Sequence, residues 1–330
     1  MKNNIIISKE NLDLVYKDIK GLIVDCKKRI YTTVNTEMLN LYWNIGKIIV
    51  SIQGGDGRAK YGQYILKELA VMLTSEFGKG FSKKNLENMR RFYLMFPIAQ
   101  TLSAQLNWSH YTELMKIKDE EKRNFYLNES INSRWSVREL QREIKSFTYE
   151  RLNVKEDINK KELLKNGLVV NNTKDLLKEP YILEFLKIEK EKFTEKELEE
   201  KIIEHLKEFL LELGKGFTFV GRQQRIIIEG THYYSDLVFY NNIVNGYLII
   251  DLKVGKLTHK DVGQMLMYVN YYDKNIKSNN DSATLGLILC KDKNKTIIKY
   301  TFGDKEANVY ASKYMLHLPS EEDLRRIIES

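Results

Sequence analysis

The 330-residue chain carries two cysteines, Cys26 and Cys290, far apart in sequence. That pair excludes a disulfide framework, a CxxC redox motif and a cysteine-rich zinc module. Its five histidines, His110, His205, His232, His259 and His317, include no two at metal-ligand spacing, which excludes a histidine-built metal centre. No apolar run reaches the length a membrane span needs. The opening "MKNNIIISKENLDLVYKDIK" lacks the apolar core and cleavage site of a signal peptide. A reducing cytoplasm is the expected setting, with no membrane partner. "GKGF" occurs twice, followed by Ser82 and by Thr218, but without the spacing of a phosphate-binding Walker loop. Each copy follows a predicted helix and reads as a C-cap turn.

What the chain does have is 43% apolar residues, enough for a sizeable core, and a net charge of +8. The charge is uneven. Residues 1–155 hold 26 Lys and Arg against 17 Asp and Glu, whereas 156–330 hold 27 against 28. A basic first half suits a polyanion such as nucleic acid, and equally suits a solvated lysine-rich surface.

Apolar spacing predicts helices throughout that first half. They include "ENLDLVYKDIKGLIVDCKKRI", "TEMLNLYWNIGKIIVSIQ", "YGQYILKELAVMLTSEFGKG" and "FSKKNLENMRRFYLMFP". Ser82 is placed to cap the last of these, and Ser136 with Glu139 forms a capping box for another. After a charged connector the pattern changes near residue 155. A long helix, "TEKELEEKIIEHLKEFLLELG", leads into strands at "FTFVGRQQRIIIEG", "HYYSDLVFY" and "GYLIIDLKV". Then come a helix at "HKDVGQMLMYVNYYDKNI" and strands at "ATLGLILC" and "KTIIKYTF". This order predicts an α/β domain at 156–330, a mixed sheet flanked by helices, behind an all-α domain at 1–155.

Two of those strands carry charge where a buried sheet should be apolar. Side chains alternate faces, so Asp251 and Lys253 share one face of "YLIIDLK" with Tyr247 and Ile249. A hairpin through Asn245-Gly246 brings Asp236 near Asp251. Two crowded carboxylates repel. A neighbouring lysine offsets part of this, and a hard divalent cation, Mg²⁺ or Mn²⁺, offsets more. That arrangement suits phosphodiester hydrolysis, with Lys253 orienting water or balancing phosphate charge. A buried Asp–Lys salt bridge would leave the same trace on these strands.

Asp236 followed by Asp251-Leu252-Lys253 resembles the PD-(D/E)XK nuclease superfamily, with Asp where Glu is more usual and Ser235 where a proline often stands. The resemblance implies a restriction-endonuclease-like core. It also implies that Asp236, Asp251 and the Leu252 carbonyl bind metal, with a glutamate on the leading helix completing the acidic shell; Glu199 fits best, because Ile202, Ile203 and Leu206 follow it on the inward face, with Glu200 and Glu204 as alternatives. Gln264 and Tyr268, one turn apart, match the Q-x-x-x-Y element some such nucleases place beside the metal. "FLLELGKGFTFVGRQ", "DLKVGKL", "GQMLMYVN", "GFSKKNLENMRRFYLMFP" and "WSVRELQREI" bring the resemblance closer, to the bacterial YhcG family, over most of the chain. That family implies a winged-helix-like first domain and a C-terminal nuclease domain.

In the first half, helix, glycine-containing turn and helix place Ser82, Lys83, Lys84 and Asn85 where a helix-turn-helix reader meets DNA, with Arg90 further along. Arg222 and Lys256 are candidate phosphate contacts in the second half. The expected function is a Mg²⁺-dependent DNA endonuclease in repair, recombination or defence. Two other readings stand beside it: an inactive nucleic-acid-binding protein on the same fold, and an oligomeric adaptor whose helical half forms a homo-oligomer.

Overall fold

The computed structural model describes residues 9–53, 59–96, 105–153, 175, 177–190, 192–292, 308–320, 322–324 and 326. The chain divides into two compact units, one of residues 1–123 and 129–140, the other of 124–128 and 141–330.

The described residues of the first unit are helical, with no strand among them. Helix α1 runs Lys9–Gln53, α2 Ala59–Phe77, α3 Lys83–Met95 and α4 Trp108–Leu114. Two more helices follow in the chain, α5 Glu120–Asn132 and α6 Val137–Lys145. Ser82 caps α3 through the Asn85 amide, and Ser136 and Glu139 exchange the two bonds of a capping box. Ile49, Leu66, Ala70, Leu86 and Met89 form the core where α1, α2 and α3 meet. Gly46 sets that approach, because a Cβ there would stand 2.1 Å from the Met89 carbonyl oxygen. Phe92, Phe96, Trp108 and Tyr111 stack edge to face beside it. Trp43 donates to the Phe96 carbonyl at 2.7 Å and Trp108 to Asn85 at 3.2 Å.

The second unit is a six-stranded mixed sheet with helices on both faces. Helix α7 spans Thr148–Asn153, and a two-residue strand β1, Tyr181–Ile182, precedes α8 Glu195–Glu204 and α9 Leu206–Leu213. Strands β2 Phe217–Ile228, β3 Thr231–Asn241 and β4 Gly246–Lys256 form an antiparallel meander. Helix α10, His259–Asn275, then crosses over to β5 Leu285–Asp292, which lies parallel to β4, and β6 Val309–Met315 follows in parallel. The strand order is β1-β6-β5-β4-β3-β2. Alternation sorts the apolar residues cleanly. Leu237, Phe239, Leu248, Ile250 and Leu252 pack with Leu198, Ile202 and Phe209 of α8 and α9. Val238, Ile249 and Ile288 pack with Val262, Met265 and Tyr268 of α10.

The helical first half and the helix-flanked mixed sheet of the second are as the sequence predicts. Three details differ. The single leading helix breaks at His205 into α8 and α9, although Leu198, Ile202, Phe209 and Leu213 keep one apolar stripe, and nothing in the local sequence requires the break. Strands β1 and β6 escape sequence reading because β1 is only two residues long and β6, "VYASKYM", mixes small, charged and aromatic residues. The strand predicted at "KTIIKYTF" lies outside the described residues.

A buried ion network anchors the start of the second unit. Glu212 is fully buried. It accepts from Arg151, from Arg142 at 3.0 Å and from the Ile182 amide at 3.0 Å, with Lys178 at 3.9 Å. Burial would raise its carboxyl pKa, but Arg151, Lys178 and Arg142 outweigh burial and hold it well below the usual range.

Candidate functional site

The β3–β4 hairpin turns through Asn245, whose left-handed φ of 50° suits the Asn-Gly turn. Its ladder runs from Asn241↔Gly246 to Leu237↔Ile250. One step further, Asp236 stands opposite Asp251, and there the backbone ladder stops. Asp236 Oδ2 instead accepts from the Leu252 amide at 2.8 Å. A carboxylate thus replaces a strand carbonyl at the point where β3 and β4 part. Asp236 alternates with Leu237 and Asp251 with Ile250, so both aspartates belong to the sheet face that carries Val238 and Ile249.

Asp251 is 3% exposed. Its Oδ2 is buried with no hydrogen-bond donor aligned to it, and lies 2.8 Å from Lys253 Nζ in an ion pair. Burial, reinforced by the Asp236 charge and opposed by Lys253, pushes the Asp251 carboxyl up to about 7. For Lys253, burial alone would favour the neutral amine, yet Asp251 outweighs it and holds the ammonium above the ordinary lysine value. Glu195 of α8 lies 3.7 Å from the same Nζ.

Glu199 comes from the opposite layer. It is buried on α8, and its Oε2 accepts from Gln223 Nε2 at 2.6 Å. The same amide reaches Asp236 Oδ1 at 3.2 Å. Gln223 therefore ties the α8 carboxylate to the β3 carboxylate. Burial raises the Glu199 pKa, and the Asp236 charge adds to this while the Gln223 bond opposes it. Gln223 lies between the registered pairs Arg222↔Leu237 and Gln224↔Ser235, with a left-handed φ of 47°. Sequence reading passes over it. The flanking "GRQQR" marks the place, but the left-handed turn that aims this amide is invisible without coordinates. Glu199, Gln223, Asp236 and Arg222 line a cavity of about 430 Å³, together with Glu195, Lys196 and Glu200. Asp251 and Lys253 are not part of that lining.

Gln264 donates to the Tyr268 hydroxyl, which donates to the Tyr234 carbonyl at 2.9 Å. The pair sits on α10 and binds it to β3. Burial raises the Tyr268 pKa, and the Asp251 and Asp236 charges add to the effect. Among the described residues Gln264 makes no hydrogen bond to either aspartate. Arg222 is exposed at the cavity and Lys256 is exposed at the end of β4. In the first unit, Lys83 and Lys84 are exposed in the first turn of α3, and Arg90 is half-buried. The Asn85 side chain is engaged within its own unit, bonding the Gly80 carbonyl and Trp108.

Among the described residues no group of three or more His, Cys, Asp or Glu is gathered as metal ligands. The donor chemistry nonetheless fits a hard cation. Asp236 and Asp251 stand at neighbouring register positions, Lys253 pairs with Asp251 alone of the two, and a buried Asp251 oxygen lacks an aligned donor.

Comparison with known proteins gives the following. A sequence profile described as "YhcG PDDEXK nuclease domain" matches residues 174–329. One described as "DUF1016 N-terminal domain" matches residues 18–151. The Escherichia coli (strain K12) protein named "Putative nuclease YhcG" is 34% identical over 94% of this chain and 92% of its own length. Among solved structures, a repair endonuclease from Pyrococcus abyssi aligns over 40% of this chain and 50% of its own, at 17% identity and a TM-score of 0.27. An EndoMS–dsDNA complex aligns over 41% and 49%, at 18% identity and a TM-score of 0.29. The chain thus spans about half the length of those two structures.

Proposed function

The chain belongs to the YhcG family, with a PD-(D/E)XK-type nuclease domain as its second half, and from that premise we propose that it is a divalent-metal-dependent DNA endonuclease. The observation that carries the reading is the buried Asp251 facing Asp236, with Lys253 2.8 Å from its carboxylate. In this proposal Asp236, Asp251 and the Leu252 carbonyl hold Mg²⁺ or Mn²⁺. A bound divalent ion supplies Lewis acidity and charge neutralisation at a scissile phosphate.

The chain's own groups do the rest. Glu199 completes the acidic shell from α8, held to Asp236 through Gln223. Lys253, kept protonated by Asp251, orients the attacking water or balances phosphate charge. Gln264 steadies α10 against β3 through Tyr268. Arg222 and Lys256 offer phosphate contacts beside the cavity, and Lys83, Lys84, Asn85 and Arg90 of the basic first unit hold DNA. Repair, recombination and defence against foreign DNA are the roles open to such an enzyme, in a reducing cytoplasm.

The test is cleavage of plasmid and branched DNA with Mg²⁺ or Mn²⁺. Wild type is expected to cut. Asp251→Ala and Lys253→Ala are expected to bind the same DNA while losing roughly a hundredfold or more in rate. Equal residual nicking by wild type and Lys253→Ala would overturn the assignment and leave the inactive-binder reading. Absence of a steep loss of DNA affinity with rising salt would favour the adaptor instead.

A further inference from the structure

Helix α1 has two apolar faces, and among the described residues of its own unit only one is packed. Its second half, from Asn35 onward, buries Leu39 and Ile49 against its own unit. Among the described residues, every side chain from Asp13 to Tyr31 is exposed. A polar surface would explain this, but the surface is not polar. Leu22 is 71% exposed, Ile30 59% and Ile48 58%. At 100° per residue, Val15, Ile19, Ile23, Ile30, Leu41 and Ile48 fall on one stripe, which runs from the free first half onto the exposed side of the packed second half. A free helical segment of this length is marginal in water unless an apolar face is covered.

We propose that this stripe is a homodimer interface, in which α1 of a second copy lies antiparallel across it with the two-fold axis near Thr33. The charges choose the orientation. Asp18, Arg29 and Lys47 stand beside the stripe, and Glu37 lies on it. An antiparallel pair facing at positions whose numbers add to about 65 sets Asp18 against Lys47 of the second copy, and Arg29 against Glu37 of the second copy. The same register sets Ile23 against Leu41 and Ile30 against Val34. A parallel pair would set each of those charges level with its own copy. Covering the stripe buries roughly 1,500 Å² over the two copies, the size of an ordinary specific interface. The inference stands on α1 alone and is independent of the nuclease reading.

The test is light scattering on the full chain with disulfide trapping. Wild type should show twice the chain mass, and Ile23→Asp should halve it, with loss of helical ellipticity as the freed half of α1 frays. Ile23 is exposed, so this change leaves the folded core of each unit intact, which calorimetry of the second unit checks. Cys26 is the exposed cysteine and Cys290 is buried. In the antiparallel pair the two Cys26 positions lie about 21 Å apart along the axis. Oxidised wild type should therefore stay uncrosslinked, while Leu41→Cys should trap a dimer through Cys26 of the second copy. A monomeric wild type, a dimeric Ile23→Asp, or ready linkage of wild type through Cys26 would each overturn the proposal.

Discussion

Replacing Glu212 by Gln tests how the second unit is anchored. The change keeps shape and removes one charge from a network in which Arg142, Arg151 and Lys178 surround Glu212, and Arg142 also pairs with Glu143 at 2.8 Å and Glu184 at 3.1 Å. Arg151 and Glu212 are fully buried, so neither can turn to solvent. An ion pair at about 4 Å is worth about 4 kcal/mol at an effective dielectric of 20. Glu212 meets two guanidinium groups, against which stand several kcal/mol for its own desolvation. The amide restores one acceptor, but its NH₂ faces groups that only donate. The expected net loss is about 3–5 kcal/mol, a large share of the 5–15 kcal/mol typical of a domain. Urea unfolding followed by ellipticity should show it as a lower midpoint for the second unit. Tryptophan fluorescence should not follow, because Trp43, Trp108 and Trp135 all belong to the first unit. The pH dependence gives a second check. Glu212 has a folded pKa below its unfolded value near 4.5, so its stabilisation is present above that value and fades as pH falls beneath it. The gap between wild type and Glu212→Gln should narrow in acid. A loss under about 1 kcal/mol at neutral pH would refute the argument that the network is electrostatically coupled.

Asp251→Asn should stabilise the metal-free chain near pH 8. A carboxyl raised from 3.8 to about 7, the Lys253 pairing included, opposes folding by up to roughly 4 kcal/mol above both values. Because the folded pKa is the higher, wild-type stability falls as pH rises from about 4 to 7; calorimetry should find that slope reduced in the variant. Gly46→Ala should cost about 3 kcal/mol, since the new methyl meets a backbone oxygen that cannot yield; here the tryptophan signal should follow the change.

Much of the site's frame was legible because period-2 alternation and the Asn-Gly turn fix faces and register together. Asp236, Asp251 and Lys253 could be set at one end of one hairpin from spacing alone, and the helix that follows could be read as flanking a mixed sheet. Gln223 could not. Its role depends on a left-handed backbone inside a strand, and no residue type announces that for glutamine. The network around Glu212 was equally hidden. Arg151 and Glu212 are far apart in sequence, and in "FLLELG" the glutamate looks like the solvated side of an amphipathic helix. Strand β6 was missed because edge-side strands in a parallel stack need no clear alternation once both neighbours and a helix constrain them. Long-range pairing, not local pattern, decided each of these.

The outer strand β2 bears on how copies of this protein can meet without clumping. It is long, with Val220 and Ile227 exposed, the kind of border that invites another chain to add a strand. Yet its register shifts between Phe219 and Gly221, its backbone twists left-handed at Gln223, and Arg222 and Arg225 stand out from it. A flat incoming strand would lose its hydrogen-bond partners at the kink and meet two guanidinium groups. Bulged, charged edges of this kind disfavour strand addition, so the irregularity that aims an amide into the cavity also makes this border a poor template for another chain.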